Sequence, residues 1–410
     1  MKTNSRRERL LASVAERLVR PRMIQIMRFV PVMPRAFKPK RWPADPQIRV
    51  PENLRSTPGI RRDRQAEENA FAEGPMPEFG KAHSKAIHWA HQMMWRSWIP
   101  SAPRLMRAFH RVRTAPTAPS HARTHQVDAA DLTAELRSVA AAAGISTIGI
   151  TNHDEKYTWA PYLGQAPGDK IVVCILEQPY EPTQTAPSGQ AERAALRTYA
   201  ELMNRALAVG RFLRERGYQA NVNDIRGHGA SLHYAVEAGL GQLGLNGQLL
   251  TPAAGSRCRI LMINTDAPLT IDHPVDYGIE KICDNCLACV ERCPSGAIPA
   301  RRDFHRGVYK AKINTKRCLP VVAQVDGCAV CMKVCPVQRY GLPAVLDHFE
   351  KTDTILGRGT DELEGYGWPL DDQRYGPGQK PRLTREFFEA MPERFDNQTK
   401  STGDDTVAFL

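Results

Sequence analysis

No stretch of eighteen or more apolar residues occurs in the 410-residue chain, which excludes a helix that spans a membrane on its own. No internal repeat is visible. A twin-arginine export signal is expected to be absent too: Ser5-Arg6-Arg7 followed by Leu10-Leu11 has its beginning, but Glu16, Arg17 and Arg20 interrupt the apolar stretch that must follow. The ten cysteines lack the pattern of a secreted disulfide scaffold. Their spacings are those of metal ligands, so a cytoplasmic location is expected.

The length allows two or three domains, and a 42% hydrophobic content is enough for a packed core. The net charge of +12 is unevenly placed. Residues 1–125 carry 25 Lys/Arg against 9 Asp/Glu, whereas residues 126–410 carry 31 against 35. The basic field of the first third favours an acidic partner, which could be a donor protein, a membrane surface or nucleic acid. It is equally consistent with a solvated basic extension.

Residues 1–125 are rich in Arg, Pro and Trp, and Pro31–Pro51 reads as irregular. Lys81–Trp98 has helical character. His83, His88 and His91 within it could suggest a metal, but a helix packed on the next domain accounts for them more simply. Thr114–His125 reads as a linker. From Val127 the pattern becomes regular. Helices are expected over Asp128–Ala143, closed by Gly144, over Ser188–Arg216 and over Leu232–Ala238. Strands are expected over Ile145–Ile150, Lys170–Leu176, Tyr218–Val222 and Cys258–Asn264. The alternation predicts an α/β domain over 126–275. After Tyr340 the chain turns polar, and 346–410 reads as an irregular tail.

Between these lies a ladder of cysteines. The first run is Cys283-x2-Cys286-x2-Cys289-x3-Cys293-Pro294, and the second is Cys318-x9-Cys328-x2-Cys331-x3-Cys335-Pro336. Two intervening residues let backbone wrap a cubane cluster, so that three thiolates cap three of its irons. The cysteine before proline points away and, in two-cluster proteins, ligates the other cluster. The expected assignment is therefore crossed: Cys283, Cys286, Cys289 and Cys335 for one [4Fe–4S] cluster, and Cys293, Cys318, Cys328 and Cys331 for the other. Structural zinc would rarely need eight cysteines in this order. Cys174 and Cys258 fall in expected strands and read as buried, inert residues. The cluster domain is placed at 276–345.

The segment Tyr234-Ala-Val-Glu-Ala-Gly-Leu-Gly-Gln-Leu-Gly-Leu-Asn-Gly-Gln-Leu-Leu-Thr-Pro252, followed by Gly255-Ser-Arg-Cys-Arg-Ile260, resembles a signature of the superfamily that joins reductive dehalogenases and epoxyqueuosine reductases. The resemblance covers roughly residues 127–345. It implies a base-off cobalamin in an α/β domain of the α+β, nitroreductase-like kind, followed by a small dicluster ferredoxin-like domain whose clusters reduce the cobalt. Gly239, Gly241, Gly244 and Asn246 would then lie against the corrin, since glycine permits close backbone approach and positive φ. A tight helix–strand turn would need glycines as well.

Several features lean towards the dehalogenase branch. Thr265-Asp266-Ala-Pro268-Leu269 resembles its Thr-Asp-x-Pro-Leu. Tyr199 matches the position of its proton-donating tyrosine, and Arg257 or Arg259 lies where it places a basic residue that makes the phenol a better acid. Without the resemblance Tyr199 reads as a core aromatic on the stripe Leu196, Tyr199, Met203, Leu207. Other features lean towards the tRNA-modifying branch: Asp224 falls close to the acid used there, with Asn221 or Asn223 as the competing dehalogenase polar residue, and the basic first third could hold tRNA phosphates. Against that branch, Leu245 stands where it has Lys, and no helical-repeat extension is seen. The expectation is thus a cobalamin-dependent reductase resembling reductive dehalogenases. It would be fed by reduced ferredoxin, flavodoxin or a reductase and act on a small organic, possibly halogenated, substrate. The alternatives are an epoxyqueuosine-reductase-like enzyme and a ferredoxin-type carrier without cobalamin.

Overall fold

The computed structural model describes residues 62–76, 94–122 and 127–389. The expected irregular stretch 31–51, the three histidines at 83, 88 and 91 and the tail beyond 389 lie outside them. Among the described residues no helix is long and apolar enough to cross a membrane.

In chain order the larger elements of the first unit are α1 (Arg64–Glu73), α2 (Trp95–Arg113), α3 (Ala129–Ala142), β1 (Thr147–Asn152), β2 (Lys170–Glu177), α4 (Tyr180–Gln184), α5 (Gly189–Glu215), β3 (Ala220–Val222), α6 (Ser231–Glu237), β4 (Gln242–Leu243), β5 (Leu249–Leu250) and β6 (Cys258–Thr265). The helix ends follow from local chemistry. Asp128 caps α3 through the Ala130 and Asp131 amides, and Ser188 caps α5 through the Ala191 amide at 3.1 Å. Gly217 follows α5 with φ +84°, a conformation that glycine adopts without strain.

Four strands form one sheet in the order β1-β2-β6-β3, and every pairing is antiparallel. The alternation of strands and helices predicted an α/β domain, and the pairing corrects this. β2 and β3 do run in the same direction, linked through α5 as in a βαβ unit. However, β6 is inserted between them and opposes both, so the sheet is that of a mixed α+β domain. Side chains alternate across it. Val172, Cys174 and Leu176 face one core with α2, α3 and α5, while Ile171, Val173 and Ile175 face a second core with α6. Gly210 lets α5 sit close on β3, since a Cβ there would lie 2.5 Å from Val222 Cγ2.

Two further boundaries differ from expectation. Residues 1–125 were expected to be an extension, yet α2 contributes Leu105, Ala108 and Val112 to the first core. The second unit begins with α7 (Ile279–Cys286) and α8 (Ala288–Glu291) and continues through the hairpin β7–β8 (Asp303–His305, Val308–Lys310), α9 (Thr315–Gln324), α10 (Val330–Lys333) and α11 (Pro336–Tyr340). It does not stop at 345. α12 (Leu342–Thr352), α13 (Asp361–Glu364), the hairpin β9–β10 (Tyr366–Trp368, Gln373–Tyr375) and α14 (Arg385–Glu389) follow, and Val345, Phe349, Tyr366 and Trp368 share a core with Cys286 and Cys335. Two buried cations hold this segment in place: Arg292 donates to the Glu364 and Tyr375 carbonyls, and Lys333 to the Leu363 carbonyl at 3.2 Å.

On the α6 face a buried polar group surrounds Tyr157. Arg62 pairs with Glu67 at 2.8 Å, and Tyr157 donates to Glu67 at 2.7 Å. His233 stacks on Tyr157 at 5.3 Å, and both its ring nitrogens lack a hydrogen-bond partner among the described residues. Burial, reinforced by the positive charges of Lys310 and Arg62, holds this imidazole well below its usual range. An unfolded chain takes up a proton at His233 near pH 6.5, whereas the folded chain resists it, so folding stability falls as pH drops through that value. His233→Phe is expected to lose less stability than the parent chain between about pH 7.5 and about pH 5.5. Thermal or denaturant melts at both pH values check this, and equal losses would refute it.

Candidate functional site

The two cysteine runs repeat one local geometry. α7 ends at Cys286, Leu287 takes a left-handed φ of +54°, and α8 carries Cys289. In the second run Ala329 takes φ +47° after Cys328, and α10 carries Cys331. Non-glycine residues rarely adopt this conformation. In both runs it turns the chain sharply between the second and third cysteines.

Cys283, Cys286, Cys289 and Cys335 line one cavity, together with Leu245, Asn246 and Leu250 from the first unit. Cys293, Cys318, Cys328 and Cys331 gather in a second group: Cys318 feels the charge of Cys331 and Cys293, and Cys328 that of Cys318 and Cys293. Cys289, Cys331 and Cys335 connect the two. Among the described residues no three His, Cys, Asp or Glu side chains converge on a single-ion site; the thiols are spread around larger volumes. Burial pushes the Cys286 and Cys335 thiols up to about 12. Left alone they would keep their protons, and the positive charge of iron is what makes such groups thiolates. Backbone amides are supplied as well. The Ala297 amide donates to Cys293 Sγ at 3.4 Å, the kind of contact that sets a cluster's potential.

The candidate catalytic residues separate. Tyr199 is half-buried on α5, and the Arg259 guanidinium lies over its ring at 5.2 Å. Register explains the meeting: Arg259 on β6 pairs with Leu176 on β2, and that row of the sheet faces α5. Arg257, two residues earlier, bonds instead to the Gln178 carbonyl and lies 5.6 Å from the Tyr180 ring. Asp224 is bound by Arg226 at 2.9 Å and Arg113 at 3.3 Å. Burial alone would raise its carboxyl, but hydrogen bonds from the Arg226 side chain and backbone, with Arg113, outweigh it and hold the group below the usual carboxylate range. An acid held ionised in this way suits a clasp between α2 and the segment after β3 better than proton donation.

The glycines expected against a corrin are occupied by the chain itself. A Cβ at Gly239 would lie 2.4 Å from the His273 carbonyl oxygen, at Gly241 2.2 Å from that of Leu250, and at Gly244 2.8 Å from Asn246 Oδ1. Asn246 faces the cavity of the first cysteine group, and its Oδ1 accepts from the Gln248 amide at 3.2 Å. The four residues therefore build a tight turn and one wall of that cavity. This is the simpler of the two explanations open to the glycines, and it leaves no cradle for a flat ligand at their α-carbons.

Residues that the sequence did not single out stand around α4, where the two units meet. Gln184 donates to Gln338 at 3.2 Å, Arg339 donates to Gln184 at 3.1 Å, and Arg259 reaches Gln178 at 2.5 Å. In this region Arg257 Nε, Arg259 Nε, Gln338 Nε2 and Arg339 Nε are buried donors without an acceptor among the described residues, a costly arrangement that an acceptor-rich ligand would relieve. Glu192, one turn into α5, also lies here; burial pushes its carboxyl up to about 7, against the pull of Arg259 and with Asp326 adding to the rise. Of these residues only Arg257 and Arg259 were singled out, by the resemblance, because the partners come from segments far apart in the chain.

Residues 282–339 match the 4Fe-4S dicluster domain family. The chain is 30% identical over 214 residues to a tetrachloroethene reductive dehalogenase of Sulfurospirillum multivorans, covering 48% of this chain and 42% of that protein. It is 30% identical over 192 residues to an epoxyqueuosine reductase of Shigella dysenteriae, covering 44% and 49%. A solved reductive dehalogenase, described as suggesting a mechanism for B12-dependent dehalogenation, superposes with a TM-score of 0.58 at 18% identity, covering 84% of this chain and 55% of that one. The chain spans about half the length of these curated relatives. It is a homologue of the reductive dehalogenases and epoxyqueuosine reductases, both groups of oxidoreductases, and it carries the 4Fe–4S dicluster domain that its cysteine ladder foretold.

Proposed function

We propose that this protein is an iron–sulfur oxidoreductase of the reductive-dehalogenase kind. It would pass single electrons through two [4Fe–4S] clusters to a corrinoid held in a nitroreductase-like domain, and so reduce a small organic substrate, an organohalide foremost. The observation that carries this reading is the placement of Arg259 over Tyr199, on the sheet face packed against α5. Cys283, Cys286, Cys289 and Cys335 would hold one cluster, and Cys293, Cys318, Cys328 and Cys331 the other. A bound corrinoid supplies low-valent cobalt as the reductant. The buried donors of Arg257, Arg259, Gln338 and Arg339 fit the acceptor amides at the rim of such a group, whereas the chain itself covers Gly239, Gly241 and Gly244 where a Cβ would stand.

Expulsion of halide from a vinylic or aromatic carbon leaves a carbanion-like centre that needs a proton. In this reading the Tyr199 phenol donates that proton, and Arg259 keeps the ring in place and stabilises the charge that develops on its oxygen. Electrons would come from a reduced ferredoxin, a flavodoxin or a reductase partner. Ten cysteines without a disulfide agree with a cytoplasmic setting. The tRNA-modifying alternative gains less from the geometry, because its candidate acid, Asp224, is held ionised by two arginines.

Three outcomes are expected. Protein reconstituted with cobalamin shows corrin absorbance as well as the clusters; a corrin-free protein would leave only the electron-carrier alternative. Tyr199→Phe lowers reductive turnover by about 10²-fold or more while clusters and corrinoid stay bound, and unchanged turnover removes Tyr199 from the mechanism. Cys335→Ser disturbs the same cluster as Cys283→Ser, and Cys293→Ser the same cluster as Cys328→Ser, read by iron analysis and electron paramagnetic resonance. A Cys335→Ser spectrum that matches Cys328→Ser instead would overturn the crossed assignment.

A further inference from the structure

Two faces of the cluster unit are unlike. The cavity of Cys283, Cys286, Cys289 and Cys335 is walled by Leu245, Asn246 and Leu250, so this group lies against the reductase unit. On the Cys293–Cys318 side, the chain borders a broad surface cleft of about 1530 Å³ counted to its open mouth. Its floor is the peptide that carries these two cysteines. Pro294, Ser295 and Gly296 follow Cys293 directly, and Arg317 precedes Cys318. Ser295 Oγ lies 3.4 Å from Cys293 Sγ, and Arg317 Nε donates to the Ser295 carbonyl at 2.7 Å. Only a few bonded or hydrogen-bonded atoms therefore separate the cleft from a cluster ligand.

The lining has a sign. Arg317, Lys380 and Arg382 are exposed at the cleft, and among the described residues the single carboxylate lining it, Asp371, accepts from the Tyr375 hydroxyl at 2.7 Å. This basic rim stands on a part of the chain whose net charge is negative, residues 126–410 carrying 31 Lys/Arg against 35 Asp/Glu. Half-buried Leu383 and Phe388 form an apolar centre, with the Arg317 guanidinium 5.8 Å from the Phe388 ring. The cleft is too open to fix a small ion. A cationic rim around a small apolar centre is instead the anatomy of a transient protein contact, in which charge steers the encounter and the apolar centre seats it.

We infer that this cleft is the docking site of an acidic one-electron carrier protein, and that electrons enter the chain through the cluster held by Cys293, Cys318, Cys328 and Cys331. The inference rests on the reading of the chain as an electron-accepting oxidoreductase. The step itself is simple: one electron leaves the carrier's reduced cofactor and reduces the cluster by one unit, with no bond made or broken and no proton transferred. The two clusters then have distinct roles. The group beneath the cleft accepts, and the group walled by Leu245 and Asn246 delivers.

The test is stopped-flow bleaching of the clusters in the full chain, with a reduced acidic ferredoxin and a flavodoxin hydroquinone as donors. Lys380→Glu/Arg382→Glu is expected to lower the second-order rate about tenfold or more at low ionic strength, and the difference should shrink as salt screens it. Lys351→Glu, an equally exposed reversal on α12, should behave like the parent chain. Photoreduced deazaflavin, a small donor that needs no docking, should bleach all variants at one rate. A double variant reduced normally by both carriers, a Lys351→Glu variant slowed as much, or equal slowing by the small donor would each overturn the inference. Because the readout is cluster colour, a chain that releases no halide still decides the matter.

Discussion

Eight thiols gathered into two groups constrain everything around them. Each cysteine run supplies three residues to one group and sends its last, just before proline, to the other. Neither group can then form unless both runs are folded and in contact. This explains why the surrounding unit is built from short helices. α8 and α10 have four residues each, far below the length at which a helix stands alone. Their order comes from the convergence of the cysteines and from the core of Val321, Val330, Val334 and Val345 packed against them. The segment beyond Tyr340 closes that core, and Arg292 and Lys333 tie it down by donating to the Glu364 and Leu363 carbonyls.

The second dependence runs from the clusters to the sheet. Cys335 is followed by Pro336 and then by Gln338 and Arg339, which bond to Gln184 on α4. A Cβ at Gly255 would lie 2.6 Å from the Gln338 amide nitrogen, so the turn that leads into β6 can approach α11 only because glycine stands there. The strand that presents Arg257 and Arg259 is thus registered against the cluster unit at its very start. A shift of one residue in β6 would turn Arg259 away from α5 and bring Cys258 or Ile260 under Tyr199. The antiparallel pairing of β6 with both neighbours guards against this, because eight residues are matched on β2 and three on β3.

What could be read from the sequence follows the range of the interactions. Cysteine spacing is local, so both groups were legible, and so was α5, with Ser188 at its start and Gly217 after its end. The insertion of β6 between β2 and β3 was not, because alternation along the chain says nothing about strand direction. α2 was hidden for another reason: Pro100 and Pro103 lie inside it, and proline normally argues against helix. α12 had a signal in Leu342, Val345 and Phe349 at helical spacing, but the polar surroundings obscured it. The hairpin β9–β10 had little, since each strand is three residues long. The pairing of Tyr199 with Arg259 came from resemblance alone. The glycines at 239, 241 and 244 were open to two explanations, and only the positions of His273 and Leu250 favour the turn.

Under the proposed function these placements would give the molecule a direction. A wire between identical ends would carry charge either way, but here the ends differ. The first cysteine group is enclosed by Leu245, Asn246 and Leu250, and the Leu245 backbone reaches the Cys283 thiol. The second group touches the reductase unit at another point: the loop before Cys328 packs on α5, and Gly327 there leaves room for Glu192. The same Glu192 feels Arg259, the residue over Tyr199. Each added electron is negative charge placed near this set, and a set containing a carboxyl and a guanidinium responds by shifting its proton affinity. Under the proposed function, proton supply from this set and electrons from the clusters would meet at the seam between the two units.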